Sequence, residues 1–375
     1  MNKKYCIFLT ILFSLFIGGI LVGSLLAPDQ EFSELENRYL QTPPKLSLEN
    51  LESGKFMEDA EDYVNDHVIG RDFWVALKAW SERLSGKQEN NGVYFGKEDT
   101  LLNRLDEPDY DTLMTSAGYV NDLVYNLNVP VYFGIIPSST EIWSDRLPAG
   151  APTADEKTII DDLYDTVQTF TIDMYSALEE HKDEEIYYRT DHHWTTLGAY
   201  YAYQQLCDAL GMTPFDRDAH TARSIQDFYG THYSKARTWN AQPDTLTWYD
   251  MDNPLTIYQV TAPGQPETGE TTTLYAEDKL DTYDKYAMFL HGNNGLSHIE
   301  GDGEGRILVL KDSYANCFVP YLTANFAQID IVDFRNYNYG LDALDADNHY
   351  DQVLVLYSFD SFKSDPYFYR AGIPG

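Results

Sequence analysis

Two segments of this chain carry residue types that could do chemistry together: Asp191-His192-His193-Trp194-Thr195, and farther along Lys311-Asp312-Ser313-Tyr314. The first sets a carboxylate two positions from an imidazole. The second follows an apolar run, Ile307-Leu308-Val309-Leu310, with an acid and a hydroxyl. Carboxylate, imidazole and hydroxyl are the orienting acid, the base and the nucleophile of a serine acyl-transfer system. In an extended segment Asp191 and His193 point the same way and His192 the other. The carboxylate can then fix the imidazole tautomer and support the imidazolium formed when a serine gives up its proton. Ser313, after a buried strand and at a helix start, sits where open α/β sheets carry reactive groups, with its own N–H turned toward an oxyanion.

Each piece also has a plainer reading. Ser313 could be an ordinary N-cap serine, with Asp312 in the turn, and Asp191 could cap a helix beginning near Thr195. Adjacent His and Asp can bind a divalent ion, but no H-E-x-x-H or other third-ligand spacing accompanies them, and the reading is metal-free. No G-x-S-x-G surrounds Ser313, which excludes an α/β-hydrolase elbow. Gly292-Asn293-Asn294-Gly295 is either an ordinary turn or a backbone N–H plus an amide offered to an oxyanion. Asp333 and Arg335 follow an apolar run among Tyr337 and Tyr339. They either line the same cleft or form a surface salt bridge. Arg335, Tyr337, Trp194 and Tyr314 make the set expected at the substrate cleft, with Trp194 also reading as a packing residue.

The elements that must hold these groups read as α/β. Val129–Ile136, Arg306–Leu310, Gln328–Val332 and Gln352–Leu356 read as buried strands, and Tyr187-Tyr188 as a short one. Phe56–Leu84, Tyr110–Leu127, Asp155–Phe170 and Thr196–Leu210 have helical periodicity. Gly92–Gly96 with Thr100–Leu102 reads as a hairpin. Strands alternating with helices predict a parallel sheet covered on both faces. Residues 235–290, rich in Asp, Thr, Tyr, Pro and Gly, read as a β-rich insertion near the cleft mouth.

The chain has 375 residues, aromatic content of 14% and a net charge of −34. That charge excludes a nucleic-acid partner, because a phosphate backbone would be repelled. Lys3 and Lys4 precede an uncharged run, Tyr5–Leu26, long enough to cross ~30 Å of hydrocarbon. Asp29 and Glu31 follow it, so the bulk of the chain is expected outside the cytoplasm, behind an uncleaved anchor (1–26) and a polar linker (27–55). A cleaved signal peptide is the competing reading. Residues 56–375 are expected to form the catalytic domain. Of three cysteines, Cys6 lies in the apolar run, and Cys207 and Cys317 read as buried thiols. No C-x-x-C is present.

Tyr187–Thr195, Gly134-Ile135-Ile136-Pro137, Phe289–Asn293, Lys311–Asn316 and Asp333–Tyr337, in that composition and order, resemble the DHHW protein family. The resemblance covers roughly residues 30 to 365. That family is similar to the alginate O-acetylation proteins AlgJ and AlgX, with an SGNH-hydrolase-like fold whose D-x-H pair precedes the serine. It implies Ser313 as nucleophile, His193 as base and Asp191 as orienting carboxylate, with Gly292 and Asn293 joining the Ser313 N–H in an oxyanion hole. Where the family has Gly-Gly-Asn, this chain has His291-Gly292-Asn293. The implied activity is transfer of acetyl groups to an extracellular polysaccharide, without a cofactor, beside a membrane-bound O-acyltransferase that supplies the acyl group. A carbohydrate esterase with the same triad, and a non-catalytic glycan-binding assembly protein, are the alternatives.

Overall fold

A computed structural model describes residues 3–33, 36 and 38–373. By contacts the chain divides into two compact units, Met1–Asn90 with Arg237–Trp239, and Asn91–Ala236 with Asn240–Gly375.

The first unit is helical. Helix α1, Lys3–Leu26, is the expected apolar run, and none of its residues is buried against protein. The single helical stretch expected over Phe56–Leu84 is instead two helices, α2 (Lys55–His67) and α3 (Arg71–Leu84). Gly70, at φ +69, makes the break, in a conformation that costs other residues more. Residues 56–90, grouped by sequence with the catalytic domain, fall by contact in this unit. So does the short segment around Trp239, whose ring meets Trp80 edge-on at 6.4 Å.

The second unit is built on an eight-stranded sheet. In chain order its strands are β1 (Val131–Ile136), β2 (Phe170–Thr171), β3 (Pro254–Tyr258), β4 (Glu270–Thr273), β5 (Leu296–Glu300), β6 (Arg306–Lys311), β7 (Gln328–Val332) and β8 (Gln352–Ser358). Their spatial order is 4-3-5-7-6-8-1-2. Strands β7, β6, β8, β1 and β2 run parallel, and β5, β3 and β4 extend the sheet antiparallel beyond β7. The centre is apolar on both faces, which is why its strands read as unbroken hydrophobic runs. Leu308 and Leu310 pack on one side with Val353, Val355 and Phe133, under Tyr110–Leu127 and Glu156–Thr166. Ile307 and Val309 pack on the other with Leu354 and Leu356, under Thr196–Leu210. This is the α/β, mainly parallel, SGNH-hydrolase-like architecture.

Segment 235–290 is not a separate layer. Its strands β3 and β4 form one edge of the main sheet, and Asp244–Tyr249 pairs antiparallel with Ala222–Phe228. Cys207 and Cys317 are buried free thiols. Burial pushes the Cys317 thiol up to about 12, so it stays protonated at neutral pH.

Candidate active site

The site lies beyond the carboxyl end of β6, where its backbone leaves the sheet. Asp312 rather than Ser313 caps the short 3-10 turn that follows: its Oδ1 accepts the Tyr314 N–H at 3.0 Å. Its Oδ2 accepts the N–H and hydroxyl of Ser358 at 3.0 and 2.5 Å, tying the turn to the end of β8. With the cap supplied by its neighbour, the half-buried Ser313 hydroxyl is left for other work.

That hydroxyl meets His193. Ser313 Oγ is 2.9 Å from His193 Nε2, and His193 Nδ1 is 2.6 Å from Asp191 Oδ1. The carboxylate accepts a hydrogen bond from Nδ1–H, so Nε2 is the bare nitrogen that accepts from the serine O–H. The D-x-H segment is not an extended strand. It is a tight loop closed by a bridge between Tyr187 and Trp194, and Asp191 also accepts the His193 backbone N–H at 2.9 Å. The loop brings carboxylate and imidazole together where a strand register was expected to do so.

Asp191 is 2% exposed. Burial alone would raise its carboxyl, but His192, His193 and the N–H of Thr231 at 2.7 Å outweigh it and hold the group well below the usual carboxylate range. Asp191, His192 and His193 offer ligand atoms within 4.8 Å of one another, enough in principle for a metal ion. Both His193 nitrogens and both Asp191 oxygens are already committed, so the arrangement suits a triad better than a ligand set.

On the other side lies the turn at 290–293. Leu290, His291 and Gly292 have φ of 53°, 57° and 83°, three successive left-handed residues. His291, where glycine would be easier, is held by Nε2 against the Thr273 carbonyl at 2.9 Å. Asn293 is exposed, and its backbone carbonyl accepts from Asn336 Nδ2 at 3.1 Å.

The remaining expected cleft residues are placed differently. Trp194 is fully buried and donates Nε1–H to the Tyr314 carbonyl at 2.8 Å, a packing role. Tyr314 is buried, its hydroxyl donating to the His192 carbonyl. Tyr337 is wholly buried and bonded to the Gly340 carbonyl at 3.4 Å, so it has no face for a substrate. It packs in the core instead. Arg335 is partly exposed and grips Asp333 with two bonds, 2.8 and 2.5 Å, which is neither a free cleft cation nor an isolated surface pair, since Asp333 is buried.

Several residues at the site carried no chemical signal in the sequence. Tyr286 lies flat on His193, ring centroids 3.8 Å apart and 11° from parallel, and its hydroxyl donates to the Ser313 carbonyl at 3.1 Å. Asp244 is buried and accepts the N–H groups of Arg189 and Thr190 at 2.9 and 2.8 Å, pinning the entry to the D-x-H loop. Gly230 lies against the Asp191 carboxylate so closely that a Cβ there would overlap it. None of these has a motif spacing; each acts through where the fold puts it.

The fold is α/β and SGNH-hydrolase-like, with a Ser-His-Asp constellation at the carboxyl end of a central strand of its parallel sheet. The chain belongs to the DHHW protein family, whose pattern matches residues 117–332. A DHHW family protein from Eubacterium siraeum superposes with a TM-score of 0.63 at 23% identity, covering 75% of this chain and 95% of that one. PatB1 of Bacillus cereus, solved with a sulfonyl adduct, superposes with a TM-score of 0.59 at 23% identity, covering 74% of this chain and 96% of that one. In sequence the chain is 24% identical over 170 residues to a probable alginate O-acetylase AlgJ of Pseudomonas syringae, covering 42% of this chain. It spans 43% of that relative's length.

Proposed function

We propose that this protein is an extracytoplasmic O-acetyltransferase that moves acetyl groups onto a cell-envelope or secreted polysaccharide through an acetyl-serine intermediate. The observation that carries the proposal is the continuous chain Asp191–His193–Ser313, with links of 2.6 and 2.9 Å. The similarity to a protein named as a probable alginate O-acetylase supports acetyl transfer as the reaction. Ser313 Oγ attacks the acetyl carbonyl while its proton passes to His193 Nε2. The tetrahedral oxyanion is met by the Ser313 N–H and the Asn293 amide, with Gly292 giving the turn its shape. Collapse expels the donor alkoxide, which takes the proton from His193. A sugar hydroxyl then gives its proton to His193 and attacks the acetyl-serine, and Ser313 recovers its proton as the ester leaves. Asp191 holds the ring and supports the imidazolium in both halves.

The proposal includes the setting. Helix α1 would keep the site on the outer side of the membrane, and a membrane-bound O-acyltransferase would deliver the acetyl group there. The test uses p-nitrophenyl acetate and a sulfonyl fluoride. Wild type should turn over the ester, and the sulfonyl group should map to Ser313 by peptide mass. Ser313→Ala and His193→Ala should each lose ~10³-fold or more in kcat if the three groups act as a unit. Ester turnover without glycan acetylation in cells would favour the esterase reading. A Ser313→Ala variant as active as wild type would leave the binding-protein reading standing.

A further inference from the structure

Lys311, the last residue of β6, is a lysine with its side chain inside the protein: it is 2% exposed. An unpaired buried ammonium is costly, so its contacts need a reason. It makes three: Asn316 Oδ1 at 2.7 Å, Asn293 Oδ1 at 3.2 Å and Asp333 Oδ2 at 3.4 Å. Pairing with Asp333 accounts for one of the three, on a carboxylate that Arg335 already binds through two shorter bonds. The other two acceptors are the asparagines.

An ammonium only donates, so the Asn293 atom it touches must be the oxygen. Asn316 agrees: its Nδ2 donates to the same Oδ1 at 3.2 Å and to the Gly292 carbonyl at 3.3 Å. Two donors from the protein interior therefore fix which way the Asn293 amide faces. Its Nδ2 has no partner among the described residues, and the side chain stands at the exposed rim of the turn. We propose that Lys311 is a positioning residue for the oxyanion side of the site. Its cation holds Asn293 oxygen-inward, so that the Asn293 Nδ2–H is presented, and polarised, toward the carbonyl oxygen of the acyl group on Ser313. This rests on the acyl-transfer reading. It gives the lysine of the Lys311-Asp312-Ser313 run a task distinct from that of the triad. Burial lowers the ammonium's pKa from the usual lysine value, with Arg335 acting the same way, while Asp333 and Asp312 work to keep it charged.

The experiment is a double-mutant cycle on the full-length protein with p-nitrophenyl acetate. Losing one oxyanion donor costs ~10²–10³-fold in kcat. Asn293→Ala should fall by about that much, and Lys311→Met by about 10²-fold with KM nearly unchanged. In the Asn293→Ala background Lys311→Met should cost almost nothing more, because the group it acts through is gone. Lys311→Gln, which can still donate to Asn293 Oδ1, should recover part of the loss. Full multiplication of the two single effects, wild-type kcat in Lys311→Met, or equal loss in the Gln and Met variants would overturn the proposal. A second readout needs no turnover: the side-chain amide signals of Asn293 in a nitrogen-15 correlation spectrum, assigned by their loss in Asn293→Ala. They should shift in Lys311→Met or, should that variant not fold, in Lys311→Gln. Unmoved signals refute the positioning role even if the ester assay has already refuted acyl transfer, which Ser313→Ala decides separately.

Discussion

Replacing Gly230 by alanine should cripple the site through Asp191 while leaving the sheet intact. Gly230 is needed for space rather than for an unusual backbone angle. A methyl group there would overlap the Oδ2, Cβ and Cγ of Asp191, closer than real side chains approach. The adjoining residue makes retreat difficult, since Thr231 N–H holds Asp191 Oδ2 at 2.7 Å and Gly230 N–H itself donates to Thr190 Oγ1 at 3.2 Å. A Cβ there would lie 2.2 Å from Asp191 Cβ, so restoring ordinary contact, about 3.5–4 Å between carbons, requires a shift of roughly 1.3–1.8 Å. The Asp191–His193 bond is only 2.6 Å long, so such a shift breaks or bends it. Misplacing a reacting constellation by that much costs about 10²-fold, and losing the orienting carboxylate altogether about 10⁴-fold. The expected loss in kcat for Gly230→Ala lies between these limits. Steady-state hydrolysis of p-nitrophenyl acetate measures it, with a thermal melt to establish folding. In an Asp191→Asn background the alanine should add little. A folded Gly230→Ala protein with wild-type kcat, or one whose loss multiplies with that of Asp191→Asn, would refute the argument that this glycine exists to seat the carboxylate.

Other outcomes follow from the same geometry. A ring stacked on a charge contributes roughly 0.5–2 kcal/mol, so Tyr286→Leu should lower kcat about 2- to 30-fold, while Tyr286→Phe, keeping the face against His193, should retain most of the activity. Equal loss in both variants would assign the effect to the hydroxyl instead. Burial, reinforced by Asp360, raises the Glu156 carboxyl to about 8 from its ordinary 4.5. A folded pKa above the unfolded one means that the folded protein keeps a proton the unfolded chain releases. The contribution is therefore complete below about pH 4.5 and is lost as pH rises through about 8. Chemical denaturation of wild type against Glu156→Gln across that range should show the difference between them growing in favour of the glutamine variant; a constant difference would contradict it. Cell fractionation and N-terminal sequencing should find the protein in the membrane fraction with helix α1 retained; soluble protein beginning near residue 25 would show a cleaved signal.

The parts of this molecule legible in the sequence are those whose pattern is set by burial alone. The runs containing Ile307–Leu310 and Gln352–Leu356 are strands because a central parallel strand is apolar on both faces. The serine after the first of them is at the carboxyl end of the sheet for the same topological reason. The D-x-H pair converged with that serine although the local geometry is a closed loop and not a strand: the two-residue spacing permits the contact in either form, so spacing found the partners without fixing the shape. What stayed hidden depends on distant pairing. Nothing in Glu270–Thr273 distinguishes an edge strand of the main sheet from a surface hairpin until Pro254–Tyr258 and Leu296–Glu300 are in register beside it. Tyr337 has the same composition signal as a cleft tyrosine, and only the packing of the core hides it. The segment around 235–290 therefore has more bearing on the site than an insertion would. It supplies Asp244 to pin the approach to the D-x-H loop, Tyr286 to cover the imidazole, and the Thr273 carbonyl that steadies His291 beside the turn bearing Asn293. Removing it would uncover His193 and loosen both sides of the proposed triad at once, so its deletion tests the architecture of the proposed active site more than any accessory function at its mouth.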